Sequence, residues 1–243
     1  MPMSLVSSLG SIFDIPSFSN RCRCAAINYR LAPESLFPCG LEDALAAYLF
    51  LIKHPSIKSH NLHVTSPVKS RKYRPEDIII AGDSSGGGMA LSILLLLKQL
   101  ELPLPMGAIL MSPHVDAMFG GQTWITNRDS CWMTPNLDGC IGAMKHYASP
   151  LLNPGTSHPL LSPLFGDLSR LCPILVQVGT AEVLYADSVR LVERLKSTGS
   201  SQVVFEEYSD MFHVFQSFPF LDATRRSFEA IGDWVRMLND TVS

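Results

Sequence analysis

Short apolar runs alternate with stretches of helical periodicity along this chain, a pattern that predicts βα units built on a parallel sheet. Residues 24–29 read as a strand. Leu41, Ala44, Leu45, Tyr48, Leu49 and Ile52 recur at helical spacing, which predicts a helix over 40–53 against the sheet. Residues 54–77 are polar and read as a long loop. Ile78, Ile79, Ile80 and Ala81 form a fully apolar run, expected of a central parallel strand buried on both faces. A glycine-rich turn over 82–88, a helix over 89–100 and a strand over 108–111 follow. Between 114 and 168 the period is lost, and Trp124, Trp132, Pro135, Pro150, Pro154 and Pro159 fall there. We read this segment as a cap-like excursion over the top of the sheet, within one domain spanning 1–243. Regularity returns with a strand over 173–178, a helix over 185–197 and a strand over 203–208. Phe228, Ile231, Trp234, Val235 and Leu238 mark a last amphipathic helix. The fold class is α/β, with about five strands in order and helices between them.

Composition narrows the function classes. Of the 243 residues, 47% are hydrophobic and 17% charged, which suits a well-buried globular chain. The formal net charge of −3 gives no nucleic-acid footprint. The basic residues between 53 and 74 read as a solvated loop. Cys22, Cys24, Cys39, Cys131, Cys140 and Cys172 match no zinc spacing and are sparse for a disulfide scaffold. They are read as thiols, which suit a reducing compartment. No apolar run approaches the roughly 18 residues of a membrane helix, and residues 1–16 lack a basic region that would start a signal peptide. The expected location is cytoplasmic. His54, His60 and His63 share the polar loop, but no cysteine or carboxylate completes a metal set with them. His114, His146 and His158 fall in the excursion, where contact with substrate is conceivable. No metal or cofactor is expected.

The strongest chemical signal is Gly82-Asp83-Ser84-Ser85-Gly86, a G-x-S-x-G between a predicted strand and a predicted helix. A serine nucleophile must stand clear of the sheet to reach a carbonyl, and a sharp strand–turn–helix lifts it there. The central residue, Ser84, is the candidate nucleophile. The following helix turns its N-terminus toward developing negative charge, which makes Ser85, with Gly86 beside it, the candidate oxyanion-binding position. An acid and a histidine should follow in that order, each just past a later strand. Glu182 follows the strand over 173–178, and His213 follows the strand over 203–208. Glu182 could instead cap the next helix, Asp187 could be the acid, and His213 could be an ordinary loop histidine. The ordered triple Ser84, Glu182, His213 favours a proton relay.

These motifs resemble the hormone-sensitive-lipase family of α/β-hydrolases, also called the alpha/beta-hydrolase fold-3 group. The resemblance rests on Tyr29-Arg30-Leu31-Ala32-Pro33-Glu34, Phe37-Pro38, Glu42-Asp43-Ala44, Gly82 to Gly87, Ser112-Pro113, Gly179 to Leu184, and His213-Val214-Phe215. It implies an α/β-hydrolase fold and hydrolysis of small-molecule carboxylic esters through an acyl-enzyme. The family usually carries aspartate at the position of Glu182. Gly10-Ser11 resembles the family's Gly-Ser pair, but Met3-Ser4-Leu5-Val6 stands where the family has His-Gly-Gly-Gly. The N-terminal strands and oxyanion-loop segment are therefore read as missing. Losing one oxyanion donor costs about 10²–10³ in rate, so the alternative reading is an impaired or truncated member, or a non-enzymatic small-molecule binder. A peptidase is a third reading, because the same triad serves amides.

Overall fold

The computed structural model of the chain describes residues 24–53, 73–131, 137–148, 158–199 and 202–242. Expectations for Cys22, for His54, His60 and His63, for Trp132, Pro135, Pro150 and Pro154, and for positions 3–6 and 10–11 lie outside these residues.

Four strands form one parallel sheet in the order β1-β2-β3-β4. They are β1 (Ile79–Asp83), β2 (Gly107–Met111), β3 (Ile174–Gly179) and β4 (Val203–Tyr208). The registers Ile79↔Gly107, Ala108↔Ile174 and Ile174↔Val203 put the carboxyl ends of all four along one edge. Helix α1 (Cys39–Lys53) precedes the sheet, and α2 (Ser85–Gln99) joins β1 to β2. The short α3 (Thr123–Thr126) and then α4 (Leu137–Ala148) lie between β2 and β3. Helix α5 (Tyr185–Ser197) joins β3 to β4, and α6 (Asp222–Val242) closes the fold.

Alternation along β2 explains the layers. Ala108 and Leu110 point to one face, against Leu91 and Leu94 of α2 and Leu191 and Leu195 of α5. Ile109 and Met111 point to the other, against Phe228, Ile231, Trp234 and Leu238 of α6. Both faces are thus covered by helices, as a parallel sheet requires. Each large apolar side chain buried this way contributes about 1.5–3 kcal/mol. Helix α1 packs chiefly on α2, with Leu41, Ala44 and Tyr48 meeting Ile93 and Leu97.

Four sequence expectations are corrected. Among the described residues β1 is an end strand of the sheet and not a central one buried on both faces: its residues are half-buried or exposed, because it has a strand neighbour on one side alone. Residues 24–29 form no strand, so the described sheet has four strands and not five. The segment is apolar enough for a strand, but a strand needs a hydrogen-bonded neighbour, and β1 pairs only with β2 among the described residues. Cys24 to Asn28 are exposed. The glycine run is helix, because α2 begins at Ser85. Gly82, Gly87 and Gly88 serve close approach, whereas Gly86 faces open space. A Cβ on Gly82 would overlap the Gly86 carbonyl, and one on Gly88 would overlap the His114 carbonyl oxygen. Finally, the segment from 114 to 168 is partly regular, since α3, α4 and a 3₁₀ turn (Pro163–Phe165) fall within it.

The motif residues ahead of the sheet have a structural use. The Arg30 guanidinium donates to both oxygens of Asp43, with Nη2–Oδ1 at 2.8 Å and Nε–Oδ2 at 2.9 Å. The Arg30 backbone N–H also donates to Asp43 Oδ2, at 2.8 Å. The hydrogen bonds from Arg30 hold the Asp43 carboxyl below the usual carboxylate range. This clamp fixes the 24–30 segment to the first turns of α1.

Candidate active site

Ser84 ends the turn from β1 into α2 with φ 52° and ψ −122°, a backbone region that L-residues rarely adopt. Three hydrogen bonds hold it there. Its N–H donates to Met111 O at 2.9 Å, and its carbonyl accepts from Gly88 N at 3.1 Å and His114 N at 2.9 Å. The strained turn leaves the side chain half-buried beyond the strand end. Ser85 and Gly86 are the first two residues of α2, and the opening N–H groups of a helix have no partner within it. They lie where an oxyanion next to Ser84 would draw on the helix dipole.

His213 Nε2 lies 2.9 Å from Ser84 Oγ. Its Nδ1 lies 3.4 Å from Glu182 Oε1. A carboxylate only accepts, so Nδ1 carries the proton toward Glu182 and Nε2 is left as the acceptor for the serine hydroxyl. The 3.4 Å spacing exceeds the about 2.7–2.9 Å of a tight charged pair. Such contacts are often loose without substrate and tighten as charge develops. Glu182 is wholly buried and His213 nearly so.

The loops that carry these groups are stitched together. Thr180 N donates to Tyr208 O, Ala181 N to Met211 O, and Asp210 N to Thr180 Oγ1. From the other side, Asn127 Nδ2 donates to Thr180 O at 2.9 Å and Glu182 O at 3.1 Å. Ser130 Oγ donates to Ala181 O at 2.8 Å, and Thr123 Oγ1 to Val183 O at 2.6 Å. The segment around α3 thus braces the acid loop. The sequence offered no signal for this, because isolated polar residues in a stretch without period point nowhere until the fold supplies their partners.

Asp187 takes a different place. It sits on α5, fully buried, with Oδ1 3.3 Å from Arg190 Nη1. The same Nη1 lies 2.8 Å from Asp116 Oδ2. Burial, and then the neighbouring Asp116, push the Asp187 carboxyl up to about 7. Its charge partner is Arg190, whereas the carboxylate next to His213 is Glu182. His114 is half-buried, in ring contact with Phe119 and Trp124, and desolvation of its ring pushes the imidazole down to about 4. His146 lies on α4, and His158 stacks edge-on against Phe37.

Among the described residues, no group of three or more His, Cys, Asp and Glu side chains is placed to hold a metal ion. No described helix is long and apolar enough to cross a membrane. A cleft of about 770 Å³ opens at the far end of α2, beside Lys98, Leu102, Leu160 and Asp167, and shares no residue with the serine site.

A family model described as alpha/beta hydrolase fold matches residues 16–217. An acetyl-hydrolase of Streptomyces hygroscopicus is 35% identical over 214 residues, covering 87% of this chain and 64% of that protein. An esterase of Acinetobacter venetianus is 33% identical over 192 residues, covering 79% of this chain and 56% of that protein. The crystal structure of an esterase from the bacterial hormone-sensitive lipase family superposes with a TM-score of 0.75 at 33% identity. That match covers 87% of this chain and 64% of the other. The chain therefore spans less than two thirds of the length of each of these three relatives. Matched by the family model over most of its length, the chain belongs to the alpha/beta hydrolase fold family, in its hormone-sensitive-lipase-like group.

Proposed function

We propose that this chain hydrolyses small-molecule carboxylic esters through an acyl-enzyme on Ser84. The observation that carries the reading is the 2.9 Å contact between Ser84 Oγ and His213 Nε2, with Glu182 on the other ring nitrogen.

In this reading His213 Nε2 takes the Ser84 proton as Oγ attacks the ester carbonyl. The carbonyl π electrons move onto oxygen, which faces the N–H groups of Ser85 and Gly86. The imidazolium, stabilised by Glu182, then returns its proton to the departing alkoxide, and the C–O bond breaks. Water repeats the sequence on the acyl-serine, releasing the acid and restoring Ser84. Esters are preferred to amides because the named relatives are an acetyl-hydrolase and esterases.

The test is turnover of p-nitrophenyl acetate. Wild type is expected to release p-nitrophenolate with saturation kinetics. Ser84→Ala and His213→Ala are each expected to lower kcat by about 10⁴-fold or more, with near-native thermal unfolding. Equal turnover by wild type and Ser84→Ala would remove Ser84 from the chemistry. A folded wild type that binds esters without releasing product would assign the chain to the non-hydrolytic binders.

A further inference from the structure

We infer that Ser112 is a positioning residue that locks Glu182 against His213, an inference that rests on the Ser84 reading above. Ser112 follows the last residue of β2, is fully buried, and holds φ at 46°. Its backbone N–H donates to Gln177 O at 2.7 Å, which carries the sheet ladder one residue further. Its side chain is therefore aimed by the sheet itself.

The hydroxyl makes two contacts, and chemistry fixes the direction of each. Ser112 Oγ lies 2.7 Å from Glu182 Oε2 and 3.2 Å from Val214 N. A carboxylate accepts and a backbone N–H donates, so the single hydroxyl proton must go to Glu182. An oxygen lone pair then receives the Val214 N–H. Gly179 N donates to the same Glu182 oxygen at 3.2 Å. Two donors thus hold Oε2, and Oε1 is the oxygen turned to His213 Nδ1.

This arrangement addresses a specific weakness. A glutamate has one more rotatable bond than an aspartate, so its carboxylate is harder to keep in one place. The Ser112 hydroxyl removes that freedom. It also grips the histidine loop, since Val214 adjoins His213 and takes a left-handed backbone at φ 52°, rare for a β-branched residue. One side chain just past β2 therefore sets the acid after β3 and the base after β4. The hydroxyl of Ser112 is bonded to Glu182 and Val214, and in the reaction above it meets no reacting atom.

The experiment is a double-mutant cycle on the full chain, read by p-nitrophenyl acetate turnover. Ser112→Ala is expected to lower kcat by up to about 100-fold, the scale of a catalytic group displaced by an ångström, with KM within twofold. Ser112→Gly, which also lacks the hydroxyl but suits a positive φ, is expected to lose as much while unfolding no earlier than Ser112→Ala. In a Glu182→Gln background, Ser112→Ala is expected to change kcat by less than threefold, because Ser112 acts through the carboxylate. Full activity in Ser112→Gly, or equal losses in both backgrounds, would overturn the inference while leaving the Ser84 reading intact. A wild type with no turnover would sink both.

Discussion

Asp187 and Glu182 lie five positions apart in sequence, yet they do different work because their surroundings differ. Glu182 meets a serine hydroxyl, a backbone N–H and an imidazole, whereas Asp187 meets Arg190 and lies near a second buried acid, Asp116. The Asp187 carboxyl at about 7 stands above its ordinary unfolded value of about 3.9. The folded chain therefore holds more protons there between those values, and stability falls as pH rises through that window. Above about 7 the full cost is present. Asp187→Asn keeps the shape without the charge. We expect it to raise stability at pH 8 by about 1–3 kcal/mol and to flatten the decline between pH 4 and 7, read as denaturant midpoints across pH. An unchanged pH dependence would contradict the assignment. His114 contributes the opposite slope, because its imidazole stays neutral down to about 4 in the fold. Its part of the stability is lost as pH falls through its unfolded value, about 6.5, toward 4.

Helix α2 illustrates how far local pattern carries. The sequence placed Ser84 correctly between strand and helix, because apolar runs on either side frame a G-x-S-x-G. It misjudged where the helix begins, because the five consecutive serines and glycines from Ser84 to Gly88 read locally as a turn. What makes residue 88 a glycine is tertiary, the carbonyl of His114 pressed against its Cα. Alanine in place of glycine inside a helix normally stabilises by about 0.5–1 kcal/mol. Gly88→Ala should instead destabilise by about 1–3 kcal/mol through overpacking, measured by chemical unfolding. A stabilised variant would show that the approach is looser than described. The same limit applies to residues 24–29 and to the segment from 114 to 168. Apolar composition cannot say whether a strand will find a neighbour. The hydrogen bonds of Thr123, Asn127 and Ser130 to the acid loop exist only once β3 is in place.

Across the whole molecule, the sheet turns three distant sequence positions into one site. Parallel strands end on the same side, so the segments after β1, β3 and β4 bring Ser84, Glu182 and His213 to one edge, and the position just past β2 adds Ser112 between them. The order of these residues was readable in the sequence because strand order and chain order coincide here. Ser112 stands in the sequence only as half of a Ser-Pro pair, and its contacts to both neighbouring loops exist only in the folded sheet. The central strands β2 and β3 are buried throughout, which makes that edge a stiff platform. In the proposed mechanism, the alignment of hydroxyl and imidazole makes Ser84 the serine expected to react.

Reaction of the folded protein with a fluorophosphonate, followed by mass mapping of the adduct, tests this directly. The account predicts one phosphonyl group per chain, on Ser84, with none on Ser84→Ala and at most slow labelling of His213→Ala. An adduct on another residue, or no adduct on wild type whose cooperative unfolding proves it native, would contradict it.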